Sequence, residues 1–169
     1  MTVQDLETFY DYNYWAYQKI WPVISQLTPE EFTRAVAGGY GSIRNTMVHL
    51  LSTEWGWLSR CGGHPRGASL KAEDYPTVEP LLKDWKKTEG YMREFLSKLD
   101  DEDLSKNVEY QGGEGQKRSM PLGELLHHSI IHGAHHRGQV AVLLRELGYA
   151  PGSFDILFYY ADKHGVKAW

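Results

Sequence analysis

The sequence predicts an all-α protein, a four-helix bundle with long crossover connections and a short C-terminal helix. Three observations carry that expectation. Four long segments repeat apolar residues in steps of three and four, the helical period. Capping residues and glycine or proline stops punctuate those segments where helices begin and end. Amphipathic helices of this length bury their apolar faces only by packing on one another.

The first helix is expected from Asp5 to Leu27, with Leu6, Phe9, Tyr10, Asn13, Tyr14, Tyr17, Ile20, Trp21 and Ile24 on one face. Pro22 bends or tightens its last turns without abolishing them. Thr28-Pro29-Glu30-Glu31 is a capping box with proline at the first helical position, opening a short helix or turn. Gly38-Gly39-Tyr40-Gly41 then breaks the chain. Ser42 caps the second long helix, which runs to about Arg60 and stops at Cys61-Gly62-Gly63. Its stripe is Ile43, Met47, Leu50, Leu51 and Leu58, with the carboxylate Glu54 in its middle and His49 at its edge.

Pro65, Gly67 and Pro76 make the next stretch irregular. The third long helix starts after Thr77 and carries Val78, Leu81, Leu82, Trp85, Tyr91, Met92, Phe95, Leu96 and Leu99, interrupted by Gly90. Asp100-Asp101-Glu102-Asp103-Leu104 signals another short acidic helix, and residues 107–119 form a small hairpin or a loop. From Pro121 the fourth pattern continues to Leu147, with Gly148 as terminator and Pro151 beyond it; Ser153 can cap a last helix from Phe154 to about Lys163. The connections 61–76 and 100–120 are much longer than usual bundle turns, which permits crossovers and supplies pocket walls.

At 169 residues the chain is expected to be one domain, and its 41% hydrophobic and 24% charged content is ordinary for a soluble globular protein. No apolar run reaches bilayer length and the start lacks a basic leader, so the expectation is a cytoplasmic protein with no membrane partner. A net charge of −4, with no basic run longer than Lys86-Lys87, argues against nucleic acid. The single cysteine, Cys61, excludes an internal disulfide and a thiolate-rich zinc cage, so any metal would be held by nitrogen and oxygen.

Five of the eight histidines fall within residues 127–136. On a helix His132 and His136 are one turn apart, about 40° around the axis, and their rings can converge. Measured from His132, Leu125, Leu143 and Gln139 lie within about 20°, which places His132 and His136 in the centre of the apolar stripe. His128 and His135 fall on one flank, and His127 points nearly backwards. Two neutral imidazoles one turn apart in a bundle core are costly to bury unless something uses their nitrogens, and a metal ion does so. A third ligand must come from elsewhere, with His49, Glu54, His64 and His164 as the candidates.

Gly41-Ser42-Ile43-Arg44-Asn45-Thr46-Met47-Val48-His49-Leu50, followed by Glu54 and Trp57, resembles the DinB family of metal-binding helical bundles. So do His132-Gly133-Ala134-His135-His136-Arg137-Gly138-Gln139-Val140 and Leu144-Arg145-Glu146-Leu147-Gly148, as does the ending from Pro151 to Tyr160. The superfamily also holds YfiT-like hydrolases and thiol-dependent S-transferases. The resemblance implies a metal triad of His49, His132 and His136, with Zn²⁺ or Ni²⁺ as the ion and Fe²⁺ or Mn²⁺ as other possibilities. It also implies, together with the abundance of aromatic residues, a homodimer.

Around the triad, Arg137 is expected to pair with a carboxylate or a helix end, Gly133 and Gly138 to permit close helix packing, and Gln139 to fill the core or donate to a ligand. Glu54 is a general-base candidate or a structural carboxylate paired with arginine. Two functions follow. One is a metal-dependent enzyme activating water or a low-molecular-weight thiol for hydrolysis or S-transfer on a small molecule. The other is a non-catalytic metal-binding or stress-response bundle. A di-iron bundle would need two Glu-x-x-His motifs, and only Glu124-Leu125-Leu126-His127 is present.

Overall fold

In a computed structural model that describes residues 1–62, 70–112 and 115–167, four of the six α-helices open on a side chain that accepts from a free amide group. Helix α1 (Val3–Ile24) opens on Thr2, whose hydroxyl accepts from Asp5 N–H while the Asp5 carboxylate accepts from Thr2 N–H. The helix therefore starts before Asp5, and Pro22 is accommodated inside its last turn. The short α2 (Pro29–Thr33) has the expected Thr28–Glu31 capping box, and α3 (Ile43–Arg60) is capped by Ser42. A 3-10 turn at Ala72–Asp74 precedes α4 (Val78–Leu96), which stops before Leu99. Another 3-10 turn, Asp103–Ser105, leads into a hairpin of β1 (Asn107–Gln111) and β2 (Lys117–Pro121). Its antiparallel register pairs Val108 with Met120 and Tyr110 with Arg118.

Helix α5 (Leu122–Glu146) follows at once, so Pro121 closes the strand and serves as the helix N-cap. Gly148, at φ 87°, ends that connection in the left-handed region. The cap of α6 (Ile156–His164) is Asp155, whose carboxylate accepts from Leu157 N–H, rather than Ser153.

Helices α1 and α3 lie across the bundle from one another, and each packs against both α4 and α5. The diagonal steps are thus α1 to α3 and α4 to α5. The long 61–76 connection joins neighbours instead of crossing.

The core has two apolar halves. One gathers Ile20, Ile24, Met47, Leu51, Leu81, Trp85, Val140 and Leu144; the other gathers Leu6, Tyr10, Leu58, Met92, Leu96, Leu126 and Ile130. Each long helix places a buried polar residue where one half gives way to the other: Asn13, Glu54, Thr88, and Ser129 with Arg137. A polar belt therefore crosses the middle of the bundle. Its side chains are tolerable there because each makes at least one hydrogen bond, although Arg137 Nε finds no partner among the described residues.

Candidate metal centre

The buried face of α5 is centred on Gly133 and Arg137, about 100° or more around the axis from His132. His132 therefore sits at the margin of the core stripe, half-buried, with only His136 fully inside at 8% exposure. The sequence reading placed both in the centre because it counted apolar residues alone. Gly133 and Arg137, which occupy the true centre, carried no weight in that count. The marginal position has a consequence: the two rings face a mouth between α3 and α5 instead of sealed core.

Helix α3 brings the half-buried His49 to that mouth. One ligand nitrogen from each of His49, His132 and His136 lies within 4.8 Å of the other two. The Nε2 atoms of His49 and His132 face each other at 3.1 Å. Tetrahedral zinc with bonds of about 2.0 Å holds its nitrogens about 3.3 Å apart, so that pair already has the spacing an ion requires. The donor set is borderline nitrogen, suited to Zn²⁺ and its neighbours in the first transition row. Among the described residues no cysteine, carboxylate or further histidine joins the group.

The surroundings prepare these rings as ligands. His136 donates from Nδ1 to Gln139 Oε1 at 2.7 Å, which fixes the tautomer and leaves its Nε2 lone pair free. Burial and the neighbouring His136 push the pKa of His49 down to about 4. Burial and the other histidines push His132 down to about 4. Both are neutral, and so competent to bind a cation, throughout the physiological range. Tyr40 stacks on His49 with ring centroids 3.8 Å apart and holds it against rotation. It comes from the glycine loop, where Gly39 at φ 55° would set a Cβ only 3.2 Å from Thr46 Oγ1.

The pattern of the DinB family matches residues 1–164. The chain belongs to the DinB family. Protein DinB of Bacillus subtilis (strain 168) is 26% identical over 155 residues, covering 89% of this chain and 90% of that protein. The uncharacterized protein YizA of the same organism is 30% identical over 153 residues, covering 88% and 92%. The crystal structure of a DinB-like protein from Bacillus cereus ATCC 10987 superposes with a TM-score of 0.74 at 24% identity, covering 90% of this chain and 97% of that one. At that identity the likeness speaks for the fold.

In this DinB-family chain several neighbours of the triad take places the sequence did not suggest. Arg137, only 1% exposed, meets neither a carboxylate nor a helix end. Its guanidinium donates to Asn13 Oδ1 at 2.7 Å and to the Tyr12 hydroxyl at 3.2 Å, enclosed by the rings of Tyr12, Tyr17 and Phe154. Gly133 does permit close packing, since a Cβ there would lie 3.0 Å from Asn13 Oδ1, but nothing lies within 4 Å of one at Gly138.

Glu54 accepts from the Tyr14 hydroxyl within the belt, with no arginine hydrogen-bonded to it, and burial pushes its pKa up to about 7. It lies about 140° around α3 from His49. His128 is exposed and rests edge-on against Trp57, with ring centroids 5.7 Å apart. The exposed His135 approaches Gln139 Nε2 at 3.4 Å, and His127 lies against Phe9. His164 ends α6 away from the triad, and His64 lies outside the described residues.

Tyr40 and the orienting role of Gln139 were missed by the sequence reading. Tyr40 looked like part of a chain break. The available signal was an aromatic residue set among glycines just before the cap of the helix that carries His49.

Proposed function

We propose that this protein is a metal-dependent enzyme in which His49, His132 and His136 hold one divalent ion, Zn²⁺ or Ni²⁺ first and Fe²⁺ or Mn²⁺ next. The reaction class is hydrolysis or S-transfer on a small molecule. One observation carries the reading: three imidazoles converge between α3 and α5, with no fourth histidine, cysteine or carboxylate among the described residues to close the set. A bound ion would supply Lewis acidity, lowering the pKa of water or of a thiol. The chain's own part is to keep His49 and His132 neutral, to fix His136 through Gln139, and to hold His49 under Tyr40. In this reading Glu54 serves the belt, because its carboxyl is engaged by Tyr14.

No helix among the described residues is long and apolar enough to cross a membrane, and a cytoplasmic location belongs to the same proposal. So does a homodimer through the outer face of α5, where Ile131 and Val142 are 57% and 52% exposed on either side of Gly138.

The test is elemental analysis of metal-replete protein together with an activity screen of low-molecular-weight thiols with electrophiles, and of esters and amides. About one ion per chain, lost in His49→Ala and His132→Ala, with turnover that disappears in the same variants, is the expected result. No ion bound under replete conditions would remove the site. A bound ion with no turnover in any arm would instead leave a metal-binding bundle stabilised by its ion.

A further inference from the structure

A cleft of about 450 Å³ runs beside the mouth, between α3 and the hairpin, lined by Ser52, Thr53, Trp57, Arg60, Tyr110 and Arg118, with Gln111 and Gly112 at its end. Thr53, Trp57 and Arg60 share the face of α3 that carries His49, within about 80° of one another around the axis. The cleft thus continues the metal mouth along the same helix. A run of ring contacts links the two: Tyr110 to Trp57 at 5.1 Å, Trp57 to His128 at 5.7 Å, and His128 to His132 at 5.6 Å between centroids.

The cleft is cationic by construction. Among the described residues neither Arg60 nor Arg118 is ion-paired. Strand alternation puts Tyr110 and its cross-strand partner Arg118 on one face of the hairpin and turns Glu109 to the other. Both guanidinium groups also lie over glycines, where a Cβ would displace them. A Cβ at Gly56 would stand 2.8 Å from Arg60 Nη1, and one at Gly112 would stand 2.8 Å from Arg118 Nε.

Gly56 is inside a helix, where glycine is disfavoured by about 1 kcal/mol relative to alanine. Arg60 folds back over that gap and over the Trp57 ring, with its guanidinium carbon 5.1 Å from the ring centroid. Two guanidinium groups without an ion-pair partner among the described residues, beside the half-buried rings of Trp57 and Tyr110, form a receptor for an oxyanion on a flat body.

We propose that this cleft anchors a small anionic substrate, its carboxylate or phosphate group held by Arg60 and Arg118 and its body lying against Trp57 and Tyr110. The rise from His49 to Gly56 is about 10 Å along α3, which sets the span between the anionic group and the atom presented to the three histidines. The direction in which the substrate points rests on the metal-centre reading; the anion site itself does not.

The test is a titration of the full-length, metal-free protein with benzoate, phenyl phosphate and the neutral benzamide, followed by the ¹⁵N–¹H signal of the Trp57 indole, assigned through Trp57→Phe. Binding of benzoate or phenyl phosphate in the millimolar range is expected, and the better of the two identifies the oxyanion; benzamide should bind about tenfold more weakly or not at all. Arg60→Met with Arg118→Met should weaken the anion about tenfold or more. Gly112→Ala, at a position free of positive φ, should weaken it several-fold with the charge intact, by displacing Arg118.

Binding should be unchanged in His132→Ala, so failure to load metal and failure to bind anion are separate results. Equal binding of benzamide, no shift of Trp57 with either anion, indifference to the double arginine replacement, or loss of binding in His132→Ala would each overturn the assignment.

Discussion

His136 and Arg137 are neighbours on α5, yet they serve opposite sides of one polar layer. Arg137 points into the belt, where Asn13 and Tyr12 accept its protons and three aromatic rings cover its face. His136 points to the mouth, where Gln139 takes one ring nitrogen and the other stays open beside His49 and His132. In the belt, polar groups are largely satisfied by one another and hold the helices in register. At the mouth, three imidazoles converge with each other, Gln139 and the Tyr40 ring as partners, which offers binding. Replacements in the belt should therefore move folding and spare the site, and those at the mouth should do the reverse.

The largest expected effect is Arg137→Ala. It removes a large buried side chain, leaves Asn13 Oδ1 without its donor, and exposes three ring faces to a void. The expected loss is about 4 kcal/mol of unfolding free energy. Urea denaturation of the metal-free protein measures it, while metal affinity of the folded fraction should stay within a few-fold. A loss below about 1 kcal/mol would mean that the belt does not depend on its cation.

Glu54 gives the belt a pH signature. Burial raises its folded pKa to about 7 from an ordinary value of 4.5, so between those pH values the folded state holds a proton that the unfolded state has released. Its contribution to stability therefore falls as pH rises through that window, by at most about 1.4 kcal/mol per pH unit, and levels off above 7. His49 and His132 have the opposite sign. Their folded pKa values near 4 lie below the ordinary 6.5, so their contribution is complete above 6.5 and is lost as pH falls toward 4. In wild type the two titrations partly offset each other. Glu54→Gln should expose the histidine slope alone, with stability rising from pH 4.5 to 6.5, and parallel profiles for variant and wild type would contradict the assignment.

The two glycines of the histidine helix test the same division on a smaller scale. At Gly133, on the belt side, a Cβ would press on Asn13 and Tyr17 at 3.0 and 3.3 Å, so Gly133→Ala should cost roughly 1 to 2 kcal/mol despite alanine's better helix propensity. At Gly138, on the outer face, a Cβ meets nothing within 4 Å, and Gly138→Ala should gain up to about 1 kcal/mol. Thermal melts of the pair should shift in opposite directions. The sequence reading treated these glycines alike, because spacing cannot show which of two helix faces has a neighbour.

That limit recurs through the molecule. The helices were legible because period and caps are local: Ser42, the Thr28–Glu31 box and Gly148 stand where the pattern expected them. Bringing His49 to His132 required the resemblance, since residues 83 positions apart have no shared period. The belt was not legible, because Asn13 and Glu54 each look like an isolated polar residue in an apolar stripe, and Arg137 falls off the stripe, until four helices align them. Whether 107–119 would pair as strands depended on α3 offering a surface for Tyr110 and Val108.

The smallest folding effect belongs at the mouth. His132 is half-buried and its Nε2 faces His49 Nε2 at 3.1 Å, so its removal opens little void and gives up one half-exposed imidazole contact. Metal-free His132→Ala should lie within about 0.5 kcal/mol of wild type at pH 7. At pH 5 it should gain relative to wild type, because a histidine that resists protonation in the folded state has been removed. With metal present the order reverses, since wild type alone receives the stabilisation that an ion bound only by the native state confers. Melts with and without added Zn²⁺, at pH 7 and pH 5, measure all of this in one experiment. A large metal-free loss at pH 7 would place His132 with Arg137 among the residues that hold the bundle together, and the division between belt and mouth would fail at that point.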